Sequence, residues 1–175
     1  MSINLSNSTE LKDICSIHEN AFEKEEQNSI VKLVTEFITE PSDHSFLSFV
    51  SSDNSLENGH VLFSEVKFNK YIEKAYILAP LAVLPSQQKK GIGASLVNHG
   101  LKYLENLKVQ FVFVYGDPNY YSRFGFKVEK SYLFVPPYEL QFPHGWQNLS
   151  FNNSPLPSSP IEFSCAPPLQ KSELW

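Results

Sequence analysis

The sequence predicts an α/β domain in which one mixed sheet carries helices on both faces. Three observations lead there. Helical and strand periodicities follow one another in the order helix, helix, strand, strand, strand, helix, strand, helix, strand, a pattern that calls for layered packing around a sheet. Residues 76–83 and 110–115 are nearly continuous apolar runs of strand length, the signature of strands covered on both faces. The chain has 175 residues with a hydrophobic share of 42%, enough for one domain with a proper core and too short to favour two. The expected organisation is a single domain over 1–175. Its core spans about 1–135, and 136–175 supplies C-terminal strands, a Pro/Ser-rich loop and a tail.

Taken in order, residues 3–5 form a short first strand. The cluster Ser6-Asn7-Ser8-Thr9 offers N-cap oxygens, and Leu11, Ile14, Cys15, His18, Ala21 and Phe22 follow at helical spacing, predicting a helix over 9–22. A second helix over 25–39 places Ile30, Val31, Val34, Phe37 and Ile38 on one face and stops before Pro41. Strands are expected over 46–51 and 60–68, separated by a polar turn over 52–59, with a further turn over 69–73 before the apolar strand 76–83. Residues 93–107 make the clearest helix, with Ala94, Val97, Leu101 and Leu104 directed at the sheet. After strand 110–115, Asp117-Pro118 reads as an N-cap followed by proline at the first helical position. The short helix that follows ends at Gly125, suited to a left-handed terminator. Residues 126–135 resume strand character. Residues 138–142 and 147–151 are further strand candidates, 152–160 is an irregular loop, and 161–164 adds an edge strand before the tail. Exposed strands near the C-terminus could pair across a homodimer.

Composition narrows the function. The net charge of -5 argues against a nucleic-acid backbone as partner. The charged share of 19%, without long runs, argues against disorder. No apolar run approaches the ~20 residues of a membrane helix, and the polar N-terminus lacks a signal-peptide pattern, so a cytoplasmic protein is the default. Cys15 and Cys165 are too few for a disulfide framework, and neither they nor His18, His44, His60, His99 and His144 show metal-ligand spacing, so no metal is expected.

The chemistry concentrates between an apolar strand and the long helix, in Gln88-Lys89-Lys90-Gly91-Ile92-Gly93. Glycines allow backbone conformations closed to other residues and close approach to a ligand. The free N–H groups of a helix's first turn, with the positive end of its dipole, suit a diphosphate, and Lys89 and Lys90 add charge beside it. A plain surface turn that needs glycine for shape would read the same way from these residues alone. No Gly-Lys-Ser/Thr follows, which excludes a Walker loop. The third glycine and acidic ribose partner of a dinucleotide fingerprint are also missing.

Leu81-Ala82-Val83-Leu84-Pro85, followed by Gln88-x-x-Gly91-x-Gly93, resembles the acyl-CoA motif of the GNAT superfamily of N-acyltransferases, Gln/Arg-x-x-Gly-x-Gly/Ala. Gly116-Asp117-Pro118-Asn119-Tyr120-Tyr121-Ser122-Arg123-Phe124-Gly125-Phe126 resembles that family's next motif, in the form carried by a bacterial predicted-acetyltransferase subgroup, and the order and spacing of the two agree. The resemblance covers about 46–126 well and is loose beyond Pro136. It implies a mostly antiparallel mixed sheet with a splayed parallel pair, here 76–83 with 110–115. It also implies acetyl-CoA as co-substrate, with pantetheine pairing with the backbone of Leu81 and Val83 beside Ala82. Gln88, Lys89, Lys90, Gly91, Ile92, Gly93 and Ala94 would lie at the pyrophosphate, and a backbone N–H near Leu81 would face the acyl oxygen.

By the same resemblance Tyr121, which also borders the cofactor, matches the family's general acid, with Tyr120 as second choice; an aromatic packing role is its alternative. The strand 76–83 has no His, Asp or Glu to serve as base. Glu65 on the preceding strand is the first remaining candidate, ahead of Glu73, against the alternative of a charged residue on an exposed strand face; an amine bound already neutral, with water as relay, would need neither. The implied activity is direct acetyl transfer to a primary amine of a small molecule or peptide. A non-catalytic acyl-CoA-binding or regulatory domain of the same fold is the second reading. Phe134, Tyr138, Phe142 and Trp146 are candidates for an acceptor pocket or for core packing.

Overall fold

Twelve segments carry the architecture of the computed structural model, which describes residues 1–54, 56–69 and 73–175. They are β1 (Ser2–Leu5), α1 (Leu11–Ala21), α2 (Lys24–Thr39), β2 (Phe46–Asp53), β3 (Leu56–Phe68), β4 (Ala75–Val83), α3 (Ile92–Asn106), β5 (Phe111–Tyr115), α4 (Pro118–Tyr121), β6 (Phe134–Val135), β7 (Trp146–Ser150) and β8 (Ile161–Cys165). The sheet runs β1-β2-β3-β4-β5-β7. Its neighbours are antiparallel except β4 and β5, the one parallel pair on that path. β8 pairs with the end of β3 and carries β6 on its other side.

Local signals set the helix ends. Asn7 accepts the Thr9 N–H at 2.9 Å, while its own N–H donates to Glu10 Oε2 at 2.7 Å. This capping box starts a short 3₁₀ turn that leads into α1. Asp117 Oδ1 accepts the Asn119 N–H at 2.9 Å with Pro118 at the first position, and Gly125 closes the segment at φ +94.

Strand alternation builds two cores. Phe111 and Phe113 of β5 join Ala75 and Ile77 of β4 and Leu33 and Phe37 of α2 on one face. Val112 and Val114 join Tyr76 and Leu78, with Leu96, Val97, Leu101 and Leu104 of α3, on the other. The face of α3 differs in part from its periodicity. Leu96 and Gly100 are buried, whereas Ala94 is half-buried and borders a cavity. Gly100 is needed because a Cβ there would stand 2.1 Å from the Phe63 ring.

Four expectations are corrected. The turn expected over 52–59 is mostly ladder, since Ser52 pairs with Glu57 and Asp53 with Leu56. Its polar residues face water or one another, as in the buried Ser51–Asn58 hydrogen bond, and Ser55 lies outside the described residues. Of the turn expected over 69–73, residues 70–72 also lie outside them. Residues 126–135 are not one strand. Lys127 makes a single bridge to Asn148, then a 3₁₀ turn at Ser131–Leu133 leaves only β6 extended. Residues 138–142 are irregular. They lie between Pro136-Pro137 and Pro143, and the Phe142 N–H donates to Tyr115 Oη at 2.8 Å instead of to a strand. The strand expected at the edge, β8, is paired on both sides.

Beneath β3 runs a buried polar chain. His18 Nε2 and His60 Nδ1 are 2.7 Å apart, His60 Nε2 lies 2.7 Å from Ser48 Oγ, and Ser6 Oγ bonds Ser48 in turn. Both imidazoles are fully buried. Burial pulls His18 down to about 3; it pulls His60 down strongly too, helped by His18. The folded state therefore binds fewer protons than the unfolded one below the ordinary histidine range near 6.5, and stability must fall as pH falls through it. Urea titrations are expected to lose about 1–3 kcal/mol of unfolding free energy between pH 6.5 and pH 5, a window above most carboxylate titration. A flat profile there would show that neither histidine is held neutral.

Candidate active site

β4 and β5 part company halfway along. Their parallel register runs from Ala75 with Phe111 to Leu78 with Val114 and then ends, while β4 continues to Val83 against β3. At the parting point Phe63 pairs with Leu78 and Val61 with Leu81, so Ala79 and Pro80 together oppose Leu62. This is a β-bulge, and its proline has no N–H to offer a ladder. The Leu84 N–H donates to Asn58 O at 3.0 Å on the β3 side. By strand alternation the backbone groups of Leu81 and Val83 face the opposite way, into the gap that β5 leaves. Gln88 Nε2 reaches Val83 O from that side at 3.1 Å, tying the turn to the strand.

The turn then presents its backbone. Lys89 and Gly91 are left-handed, at φ +61 and +83, and Gly91 caps α3 without any side-chain hydrogen bond. The first helical bond at this end is Ser95 N–H to Gly91 O, at 2.9 Å. No N–H between residues 89 and 94 has a partner among the described residues. Unpaired N–H groups at left-handed turns and helix N-termini form anion-binding concavities.

Two cavities share Leu81. The first, about 580 Å³, is lined by Leu81, Ala82, Val83, Gln88, Lys89, Gly91, Ile92, Gly93 and Ala94, with Tyr120 and Arg123 opposite. Lys90 is not among its lining residues; its Nζ donates to Gln87 Oε1 at 2.9 Å. Gly93 admits Tyr120, whose hydroxyl would lie 2.7 Å from a Cβ at that position. Arg123 sits 4.1 Å above the Tyr120 ring and its Nε donates to Tyr120 O at 2.9 Å, fixing a cation on the rim. Burial raises the Tyr120 phenol, partly offset by Arg123.

The second cavity, about 450 Å³, lies between α2, the bulge of β4, the end of β5, Tyr121 and the C-terminal segment. The Tyr121 ring occupies space that only glycine at 116 leaves open, since a Cβ there would meet its Cε2 at 2.6 Å. Burial, then the neighbouring Tyr120, pushes the Tyr121 phenol far up, so it is a proton donor throughout the neutral range.

The side chains lining the two cavities differ in charge. Lys89 and Arg123 line the first, which has no carboxylate; Glu26, Asp117 and Glu173 line the second, which has no cation. Glu65 is not brought to either. It pairs with Tyr76, five residues before Leu81 or roughly 16 Å along the strand. Its Oε2 accepts from the Ser45 N–H at 3.1 Å and hydroxyl at 3.0 Å.

Of the aromatic candidates, Phe134 and Trp146 are core, Tyr138 packs against it, and Phe142 lines the second cavity. Sequence reading missed the tail. Trp175 is buried, donates through Nε1 to Leu169 O at 2.9 Å and stacks on Tyr115, so Leu169, Leu174 and Trp175 form a wall of that cavity. Nothing local in a Pro/Ser-rich stretch signals this, although a terminal tryptophan is an apolar group that needs cover. Neither cysteine lines the cavities: Cys165 is buried, with its thiol pushed up to about 12, and Cys15 Sγ lies 3.5 Å from Thr35 Oγ1. A larger concavity, about 1290 Å³, lies between α4 and β7 and includes neither Leu81 nor any residue of the glycine turn. No group of three or more His, Cys, Asp or Glu suited to a metal occurs among the described residues, and no described helix is long and apolar enough to cross a membrane.

Known proteins resemble this chain in sequence and in fold. A family model described as the acetyltransferase (GNAT) domain matches residues 2–128. An uncharacterised N-acetyltransferase of Escherichia coli K12, YjhQ, is 35% identical over 97 residues, covering 54% of each chain, so this chain spans about half the length of that curated relative. The crystal structure of the E. coli GNAT family N-acetyltransferase YhbS in complex with CoA superposes with a TM-score of 0.79 at 23% identity, over 93% of this chain and 89% of the other. A GNAT family acetyltransferase from Brucella melitensis in complex with acetyl-CoA gives a TM-score of 0.66 at 25% identity, over 91% and 92%.

Proposed function

The chain belongs to the GNAT acetyltransferase family, and on that premise we propose that it transfers the acetyl group of acetyl-CoA directly to a primary amine. The observation that carries this reading is the pair of cavities of opposite charge meeting at Leu81, where the free edge of β4 faces Tyr121. The cationic cavity suits the diphosphate, held on N–H groups of residues 89–94 with Lys89 and Arg123 beside it. The backbone of Leu81 and Val83 extends along pantetheine as a missing strand would. CoA-bound and acetyl-CoA-bound relatives support the choice of ligand.

In this reading the Leu81 N–H polarises the thioester carbonyl and stabilises the oxyanion as the amine attacks. The carbon–sulfur bond breaks, and Tyr121 delivers a proton to the departing sulfur. Glu65 takes no part, being engaged with Ser45. The test is acetyl-CoA binding by calorimetry together with thiol release in the presence of primary amines. Micromolar binding and amine-dependent thiol release are expected. Binding without turnover on any amine would favour a non-catalytic acyl-CoA-binding domain instead.

A further inference from the structure

The second cavity contains more than an opening for an amine. On α2, Glu26, Ile30 and Leu33 are spaced four and three residues apart, so they form one stripe, and all three line the cavity. Leu33 packs in the same cluster as Ile77 and Phe37, toward the start of β4. Glu26 lies two helical turns, about 10 Å, toward the N-terminal end of α2, and lines the cavity together with Leu81. The opposite wall is apolar too, made by Phe142, Leu174 and Trp175.

The three lining carboxylates are not equivalent. Asp117 Oδ1 is committed to the N–H and side-chain amide of Asn119 at 2.9 and 3.1 Å. Glu173 belongs to the C-terminal segment. Neither its carboxylate nor that of Glu26 has an ion pair or hydrogen bond among the described residues, and both residues are exposed, but Glu26 stands on a 16-residue helix.

We propose that the acceptor is a small monoamine with an apolar body, an arylalkyl- or branched alkylamine, lying along the Glu26–Ile30–Leu33 stripe, and that Glu26 removes its ammonium proton. This rests on the acetyl-transfer reading above and names its acceptor and base. An apolar body covers Ile30, Leu33 and Trp175 favourably, whereas a polyamine or a hydroxyl-rich amine lays polar groups against the same side chains. The protons balance. The ammonium gives one proton to Glu26, which passes it to water. The nitrogen attacks the carbonyl carbon, and the carbon–sulfur bond breaks. The nitrogen's second proton replaces the one that Tyr121 gives to sulfur. The products are the amide, the CoA thiol and one proton.

The test compares kcat/KM for 2-phenylethylamine and isopentylamine with spermidine and kanamycin, using the full chain and its E26Q and E26D variants between pH 6.5 and 9. The expected result is at least a tenfold preference for the apolar monoamines. E26Q should lose about 100-fold at pH 7. That deficit should shrink toward pH 9 as free amine becomes available, while E26D keeps most of the activity and acetyl-CoA affinity stays unchanged. A preference for spermidine or kanamycin, or an E26Q deficit that is independent of pH or confined to KM, overturns the proposal while acetyl transfer stands. Failure to bind acetyl-CoA, or to release thiol with any amine, overturns both.

Discussion

Replacing Gly93 with valine is expected to weaken acetyl-CoA binding at least 100-fold, the largest effect on affinity of any single change in the turn. Two costs combine at this position. A Cβ would stand 2.7 Å from the Tyr120 hydroxyl and 3.5 Å from Val83, so the added side chain displaces Tyr120 or enters the cavity that both line. It also stands beside the N–H groups proposed to meet the diphosphate, where only a bare backbone allows close approach. The fold should survive, because Gly93 is half-buried and the groups it meets are ends of side chains. Gly91 differs: nothing lies within 4 Å of a Cβ there, and the cost is its φ of +83, about 1–2 kcal/mol for other residues. Calorimetry with acetyl-CoA, with circular dichroism as a check on folding, measures the effect. Unchanged affinity in a folded Gly93→Val protein would remove the diphosphate from this turn.

Tyr121→Phe is expected to lower kcat by about 10²–10⁴-fold while leaving the dissociation constant of acetyl-CoA within a factor of about three. The substitution keeps the ring, and with it the contacts to Tyr120, Phe124 and Phe126 and the fit over Gly116. Only the hydroxyl is lost, so a packing role alone predicts almost no change. Because burial raises the phenol, the wild-type rate should show no alkaline loss from this group below about pH 10. Steady-state kinetics at saturating acetyl-CoA decides the matter, and turnover within a factor of about three of wild type would clear Tyr121 of the acid role.

Most of the scaffold around these residues was legible in the sequence. Both apolar runs became the strands that part at the site, and Gly91, Asp117 and Gly125 cap or end helices as their local chemistry dictates. Failures occurred where tertiary pairing overrode composition. Residues 52–59 read as a turn because they are polar, yet backbone ladders are indifferent to polarity on an exposed face. Residues 126–135 read as strand because they are aromatic and β-branched, yet they close against β7 and β8 through a bridge, a 3₁₀ turn and only two extended residues. At the site, the turn and the two tyrosines were visible because they are contiguous and follow a recognisable order. Glu26 and Trp175 were not, since each reaches the second cavity only through the packing of its own segment.

In the proposed complex the turn at residues 89–94 holds the diphosphate of acetyl-CoA, and Leu81 and Tyr121 flank the thioester. A crystal structure with CoA tests it most directly. Diphosphate oxygens are expected within about 3 Å of the N–H groups between residues 89 and 94, with the sulfur between Leu81 and Tyr121. Diphosphate bound in the groove between α4 and β7, with the turn left empty, would contradict it.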